Sequence, residues 1–215
     1  MLLSTTLLFH GIAEKEIPPL LNCLGASQSA YKKGETIFAE GMVTERLGLV
    51  LSGLAIISSV DVWGNTSILG HVAPGEAFAE AYACIPEQPL LVTVSAAEDT
   101  SVLFLHVGKI LHTCPHACPC HERLARNLLG VCARKSLQLS RKILHTGSKS
   151  IRGRLMSYFS ECAKNSGSNC FRIPYNRQQL ADYLGVDRSA LCNALSKMQK
   201  EGILTYQKNQ IRLKT

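Results

Sequence analysis

A chain of 215 residues, 46% of them apolar, is long enough for one or two globular domains and is not a disordered or fibrous sequence. No apolar run reaches the roughly 18 residues of a membrane span, and the opening MLLSTTLLF lacks the basic region and cleavage site of a signal peptide. Nine cysteines, without the spacing of a secreted disulfide scaffold, point to a reducing cytoplasm.

The net charge of +7 conceals a strong asymmetry. Residues 1–122 carry 5 Lys/Arg against 12 Asp/Glu, and residues 123–215 carry 18 against 4. Nine basic residues and no acid lie between Glu122 and Glu161. An acidic half joined to a basic half predicts a polyanion partner for the second, nucleic acid before membrane.

In chain order, residues 9–28 have the periodicity of an amphipathic helix, with Ile12, Ile17, Leu20, Leu21 and Leu24 as its apolar set. From Tyr31 the texture changes to short β segments: 37–38, 47–51, 55–57, 67–69, 90–94 and 102–105. Turns are predicted at Gly34, Gly41, Gly53, Gly64-Asn65 and Pro74-Gly75. Closely spaced strands with no helix between them predict a β-sandwich or closed roll, able to enclose a small ligand. Residues 121–146 form one long helix with two apolar stripes, Leu124, Leu128, Val131 and Leu129, Cys132, Leu139, Ile143. Such a band can pack on the roll and on a second copy of itself. A hinge is expected at Thr146-Gly147-Ser148, a helix over 151–162, and a short strand at 171–174.

Residues 176–200, NRQQLADYLGVDRSALCNALSKMQK, predict two helices about a tight turn. Asn176 and Gln179 make a capping-box pattern, Gly185 supplies a positive-φ turn, Asp187 caps the second helix and Gly202 stops it. Leu191, Leu195 and Met198 face inward, leaving Arg188, Ser189, Cys192, Asn193, Ser196 and Lys197 outward. Arg and Asn on such a face can bond guanine and adenine edges in a major groove. An amphipathic helical hairpin with a solvated basic face fits the same pattern. Segments 203–206 and 210–213 can pair about Lys208-Asn209, which makes the whole a winged helix.

His112, Cys114, His116, Cys118, Cys120 and His121 pack six potential ligands into ten residues. Of these, Cys114, Cys118, Cys120 and His121 suit a metal, an iron–sulfur cluster or haem, or reversible oxidation of a low-pKa thiolate. The plainer alternative is a turn with partly buried thiols before a helix starting at Pro119.

The order of these elements resembles the bacterial Crp/Fnr regulator family over nearly the whole length. The resemblance rests on YKKGETI from Tyr31, Glu40-Gly41, LVLSG from Leu49, PGEAF from Pro74, AEDT from Ala97 and the 176–202 segment. It implies an α+β homodimer with three parts: a cyclic-nucleotide-binding-like β-roll sensor (1–120), a dimerisation helix (121–146) and a winged helix-turn-helix DNA-binding domain (147–215). It implies a transcription regulator, with RNA polymerase a possible partner, and not an enzyme. DNA contacts are expected from Asn176, Arg177, Gln178, Arg188, Ser189, Cys192, Asn193 and Lys197. An effector pocket is expected around Phe78, Glu80, Leu90, Leu91, Leu124 and Leu128. Two departures matter. Leu90 stands where cyclic-nucleotide binders carry the phosphate-binding Arg, so cyclic AMP is not the expected effector. Asn193 stands where many relatives carry Arg, so an altered operator is expected. Relatives with an iron–sulfur cluster place most ligands near the N-terminus, where this chain has only Cys23. A β-roll module whose basic half binds RNA or a protein is the alternative.

Overall fold

The computed structural model describes residues 2–64, 66–112 and 119–214. It divides into two compact units, 1–134 and 135–215.

In the first unit, single 3-10 turns at Leu3–Thr5 and Glu14–Glu16 precede helix α1, Ile17–Leu24. Prolines at its first turn start it where an N–H would be orphaned anyway, and Gly25 ends it at φ 61°. The helix expected over 9–28 is therefore much shorter, and the chain is already in strand β1 (Ser27–Tyr31) by residue 27. There follow β2 (Thr36–Phe38), β3 (Arg46–Ser52), β4 (Ala55–Val60), β5 (Thr66–Val72), β6 (Ala77–Phe78) and the one-turn helix α2 (Glu80–Ala83). Strands β7 (Thr93–Ala96) and β8 (Thr100–His106), helix α3 (Val107–Leu111) and the long helix α4 (Pro119–Thr146) complete the series. The strand expected at 90–94 starts later. Leu90 lies beside an isolated bridge between Val43 and Pro89, and the ladder begins at Thr93.

Two four-stranded antiparallel sheets result, in the orders β1-β8-β3-β6 and β2-β7-β4-β5. Successive side chains on a strand point to opposite faces. On β3 and β8 both faces are buried. Val50, Val102 and Phe104 join Phe38, Phe78, Leu90 and Val94 in one apolar cluster, drawn from both sheets. Leu47, Leu49, Leu103 and Leu105 join a second, with Leu20 and Leu24 of α1, Ile110 of α3, and Leu124 and Leu128 of α4. This double burial explains the unbroken apolar run at 47–51. Gly48 faces the first cluster, where the Phe78 ring occupies the space a methyl group would need. Phe38 meets Phe78 and Phe104 at centroid distances of 5.8 and 5.6 Å.

Helix α4 crosses the division between the units. Of its two expected apolar stripes, Leu124, Leu128 and Val131 are buried, whereas Leu129, Leu139 and Ile143 are 70%, 62% and 69% exposed in the single chain.

The second unit holds α5 (Ile151–Ser166), β9 (Cys170–Arg172), α6 (Arg177–Leu184), α7 (Arg188–Lys200), β10 (Leu204–Gln207) and β11 (Gln210–Leu213). Its sheet order is β10-β11-β9, antiparallel. Leu155 and Phe159 of α5 meet Leu180 and Leu184 of α6, Leu191, Leu195 and Met198 of α7, and Phe171, Leu204 and Ile211 of the sheet in one core.

Candidate nucleic-acid interface

The caps expected around α6 and α7 are formed. The Asn176 carboxamide accepts from the Gln179 N–H at 2.9 Å, while the Gln179 side chain accepts from the Asn176 N–H at 2.9 Å. Gly185 closes α6 at φ 62°, and Gly202 follows α7 at φ 75°. Asp187 caps α7 by accepting from the Ala190 N–H at 2.9 Å. Its carboxyl also takes the Ser189 hydroxyl, and together these bonds hold it below the usual carboxylate range.

With Leu191, Leu195 and Met198 buried, α7 turns Arg188, Ser189, Asn193, Ser196 and Lys197 to solvent, and Cys192 is half-buried. Arg188, Asn193 and Lys197 are thus all open to solvent, with Arg188 and Lys197 on opposite flanks of the exposed side. Ser189 is held by Asp187. On α6, Asn176 is used by its capping box and Gln178 donates to Asp182 at 2.8 Å. Arg177 donates to the Lys208 carbonyl at 2.8 Å and lies over the Tyr206 ring at 4.8 Å. It ties the start of α6 to the hairpin turn.

Two features were missed in the sequence because their partners are distant. Arg154 of α5 donates to the Ser148 carbonyl at 2.9 Å, the Leu184 carbonyl at 2.8 Å and the Gly185 carbonyl at 3.0 Å. It satisfies orphan acceptors at the C-terminus of α6, at the elbow of the helix-turn-helix. His145, 4% exposed, places Nε2 at 2.7 Å from Glu161 and Nδ1 at 2.9 Å from the Tyr183 hydroxyl. Its ring stands edge-on to Tyr158 at 5.4 Å. The last turn of α4 is thereby fixed to α5 and α6. Burial raises the phenols of Tyr158 and Tyr175, and pushes Tyr183 up to about 12. Of the nine basic residues between Glu122 and Glu161, Arg126, Arg141 and Arg152 pair with Glu122, Glu161 and Glu201, and Arg154 holds the elbow. Part of that run is structural.

In the first unit, the residues expected around an effector divide between the two clusters. Phe78 and Leu90 belong to one, and Leu124 and Leu128 to the other, while Leu91 is 65% exposed. Glu80 is buried at the start of α2, after Ala79 at φ 59°. Residues 73–105 contain five acidic side chains and no Lys, Arg or His, so this segment offers a cyclic phosphate no cation.

Cys114 and Cys118 lie outside the described residues, as does His116. Cys120, the second residue of α4, is half-buried against the helix-facing core, and burial and Glu16 raise its thiol. At Cys120 this direction is opposite to the low-pKa thiolate expected of the cluster. His121 is buried, and its Nδ1 finds no partner among the described residues. Among the described residues no group of three or more side chains is placed to hold a metal ion.

A β-roll, a long helix and a winged helix-turn-helix define a DNA-binding transcription regulator rather than an enzyme. Residues 28–114 match the cyclic nucleotide-binding domain family, and residues 153–215 match the Crp-like helix-turn-helix domain family. The chain belongs to the Crp/Fnr family. It is 25% identical over 190 residues to the transcriptional activator protein FnrA of Stutzerimonas stutzeri, covering 85% of this chain and 74% of that one. It is 24% identical over 197 residues to the cyclic AMP receptor protein of Thermus thermophilus, covering 92% and 87%. The crystal structure of Thermus thermophilus catabolite activator protein has the same fold, with a TM-score of 0.53 at 23% identity over 97% of this chain and 94% of that one. Among the described residues no helix is long and apolar enough to cross a membrane.

Proposed function

We propose that the protein is a homodimeric, sequence-specific regulator of transcription, acting in the cytoplasm under control of a signal other than cyclic AMP. In this reading residues 1–120 sense, 121–146 dimerise and 147–215 bind DNA. The observation that carries it is the outward face of the capped helix α7, where Arg188, Asn193 and Lys197 stand exposed above a buried Leu191, Leu195 and Met198. The exposed Leu129, Leu139 and Ile143 on α4 supply an apolar stripe for a second copy.

Arg188, at the N-terminal end of α7, is assigned to a base edge, and Lys197 to a phosphate. Arg188→Ala is expected to cost about 1–3 kcal/mol on a selected operator and to relax selectivity at one base pair, whereas Lys197→Ala should weaken all duplexes alike. Binding to the selected operator and to random duplex, measured at one fixed salt concentration, checks this. Equal losses on both duplexes for Arg188→Ala would contradict the assignment. Binding of RNA with no duplex selectivity would replace the reading.

The signal is inferred not to be cyclic AMP because the segment expected to hold its phosphate has Leu90 buried in the core and no cation between Val72 and His106. An anion placed there would be desolvated without a partner. Calorimetric titration is expected to show no micromolar binding of cyclic AMP; a micromolar isotherm refutes the inference.

A further inference from the structure

The last turns of α4 belong to the second unit, and one buried side chain carries their attachment to it. Among the described residues, no side chain of α4 joins the apolar core of that unit. The backbone from α4 to α5 runs through Gly147, Ser148, Lys149 and Ser150, a composition with little stiffness of its own. What holds the end of α4 is His145, 4% exposed, with both ring nitrogens engaged. Its Nε2 lies 2.7 Å from the Glu161 carboxylate of α5, and its Nδ1 2.9 Å from the Tyr183 hydroxyl of α6. A carboxylate only accepts, so Nε2–H donates to Glu161, and in the neutral ring Nδ1 accepts from Tyr183. The ring also meets those of Tyr158 and Tyr183 at centroid distances of 5.4 and 5.8 Å. Two weaker contacts accompany it: Arg141 to Glu161, and the Ser157 hydroxyl to the Leu144 carbonyl, each at 3.5 Å. Both are long for hydrogen bonds.

We infer that His145 is a positioning residue for the operator. It fixes the recognition helix α7 relative to the exposed stripe on α4, and so sets the separation of half-sites that the protein accepts. The inference rests on the reading of the chain as a homodimer bound to two half-sites. Leu139 and Ile143, the end of that stripe, lie within the two turns of α4 before His145. Tyr183 lies two residues before the Gly185 elbow, beyond which α7 begins at Arg188. One imidazole therefore joins the helix that carries the stripe to the helix-turn-helix. Buried as it is, His145 acts through Glu161 and Tyr183 and not on DNA.

When two DNA-binding units are joined, the second half-site is bound at an effective concentration set by the stiffness of the connection. A stiff junction concentrates α7 at one spacing, and a loose one spreads it over several. An added base pair moves a half-site by about 3.4 Å and turns it by about 35°, which a stiff dimer should reject. A residue that only stabilised the fold would change the folded fraction and leave the spacing preference alone.

The test uses the full chain and the operator returned by selection from random duplex. The probes, compared at one salt concentration, are that operator, the same duplex with one half scrambled, and a version with one base pair inserted between the halves. The natural chain should bind the inserted version at least about tenfold more weakly than the operator. His145→Ala should stay within about twofold of the natural chain on the scrambled duplex while losing about tenfold on the operator. Its preference for the operator over the inserted version should shrink below about threefold. His145→Gln keeps one donor and one acceptor, and should recover part of that preference. Tyr183→Phe removes one bond and keeps the ring; it should flatten the preference in part, and it decides if His145→Ala does not fold. An unchanged spacing preference in the folded variants overturns the inference, and so do equal losses on operator and scrambled duplex. A natural chain without any spacing preference overturns the homodimer reading itself, and this inference with it.

Discussion

Arg154→Ala is expected to lower the stability of the second unit by about 2–3 kcal/mol, with a fall in its unfolding midpoint of about 10 °C. The reason is the number of acceptors that one guanidinium serves. Its Nε and Nη1 reach the carbonyls of Ser148, Leu184 and Gly185 at 2.8 to 3.0 Å. The last two carbonyls end α6, where intrahelical donors have run out. Removing the side chain leaves them without that donor at the elbow that fixes α7 against α6. Arg154→Lys keeps the charge but not the planar fork, and should recover less than half of the loss. Operator binding should fall with it, because the elbow sets the pose of Arg188 and Asn193. Thermal unfolding of both variants checks this, and an Ala variant within about 0.5 kcal/mol of the natural protein would contradict it.

Alkaline pH should unfold the same unit well before an ordinary protein of its size. Tyr158, Tyr175 and Tyr183 pack together, with Tyr175 and Tyr183 stacked at 5.2 Å and Tyr158 at 5.4 Å from Tyr183. Burial raises all three phenols, Tyr183 to about 12. In the unfolded chain a tyrosine ionises near pH 10. Between that value and the raised one, the unfolded state has already released a proton that the folded state retains. The stability is whole below pH 10 and declines as pH rises above it. Tyr158, 6% exposed, contributes a slope of about 1.4 kcal/mol per pH unit on its own. Tyr183, less buried, adds a smaller amount that levels off near 12. Phenolate absorbance and circular dichroism followed together test this. Three of the six tyrosines should ionise later than the others, Tyr158 only as the helical signal is lost, and Tyr158→Phe should flatten the decline. Ordinary titration of all six with the helical signal intact would sink the prediction.

The contrast between what was legible in the sequence and what was not follows the range of the interactions. The helix-turn-helix could be read because each of its determinants lies within a few residues of its partner: Asn176 with Gln179, Asp187 with Ala190, glycines at 185 and 202. The wing had a similarly local signal in its two-residue turn at Lys208 and Asn209. Strand β1 was invisible because SQSAY is polar, half-buried on one face only, and held by pairing with β8 some seventy residues away. Leu90 and Leu91 looked like the start of a strand, yet the former fills the roll and the latter is exposed outside any ladder. The same limit applies to the site. The exposure of Arg188 follows from helical spacing. The engagement of Arg177 by Lys208 and of Arg154 by Leu184 depends on tertiary neighbours that no local pattern announces.

The seat of the Phe78 ring on Gly48 has an outcome for how the chain can diverge. The two residues face each other across the β3–β6 ladder and share one volume. A larger residue at 48 is admissible only in a lineage where 78 has already shrunk, and a shrunken 78 by itself leaves a void in the roll. Drift at these positions must therefore pass through a handicapped intermediate, or occur at both together. In descendants of this sequence the pair should be inherited as a unit, the small member tracking the large one, while the exposed residues Thr66–Leu69 of β5 are free to vary.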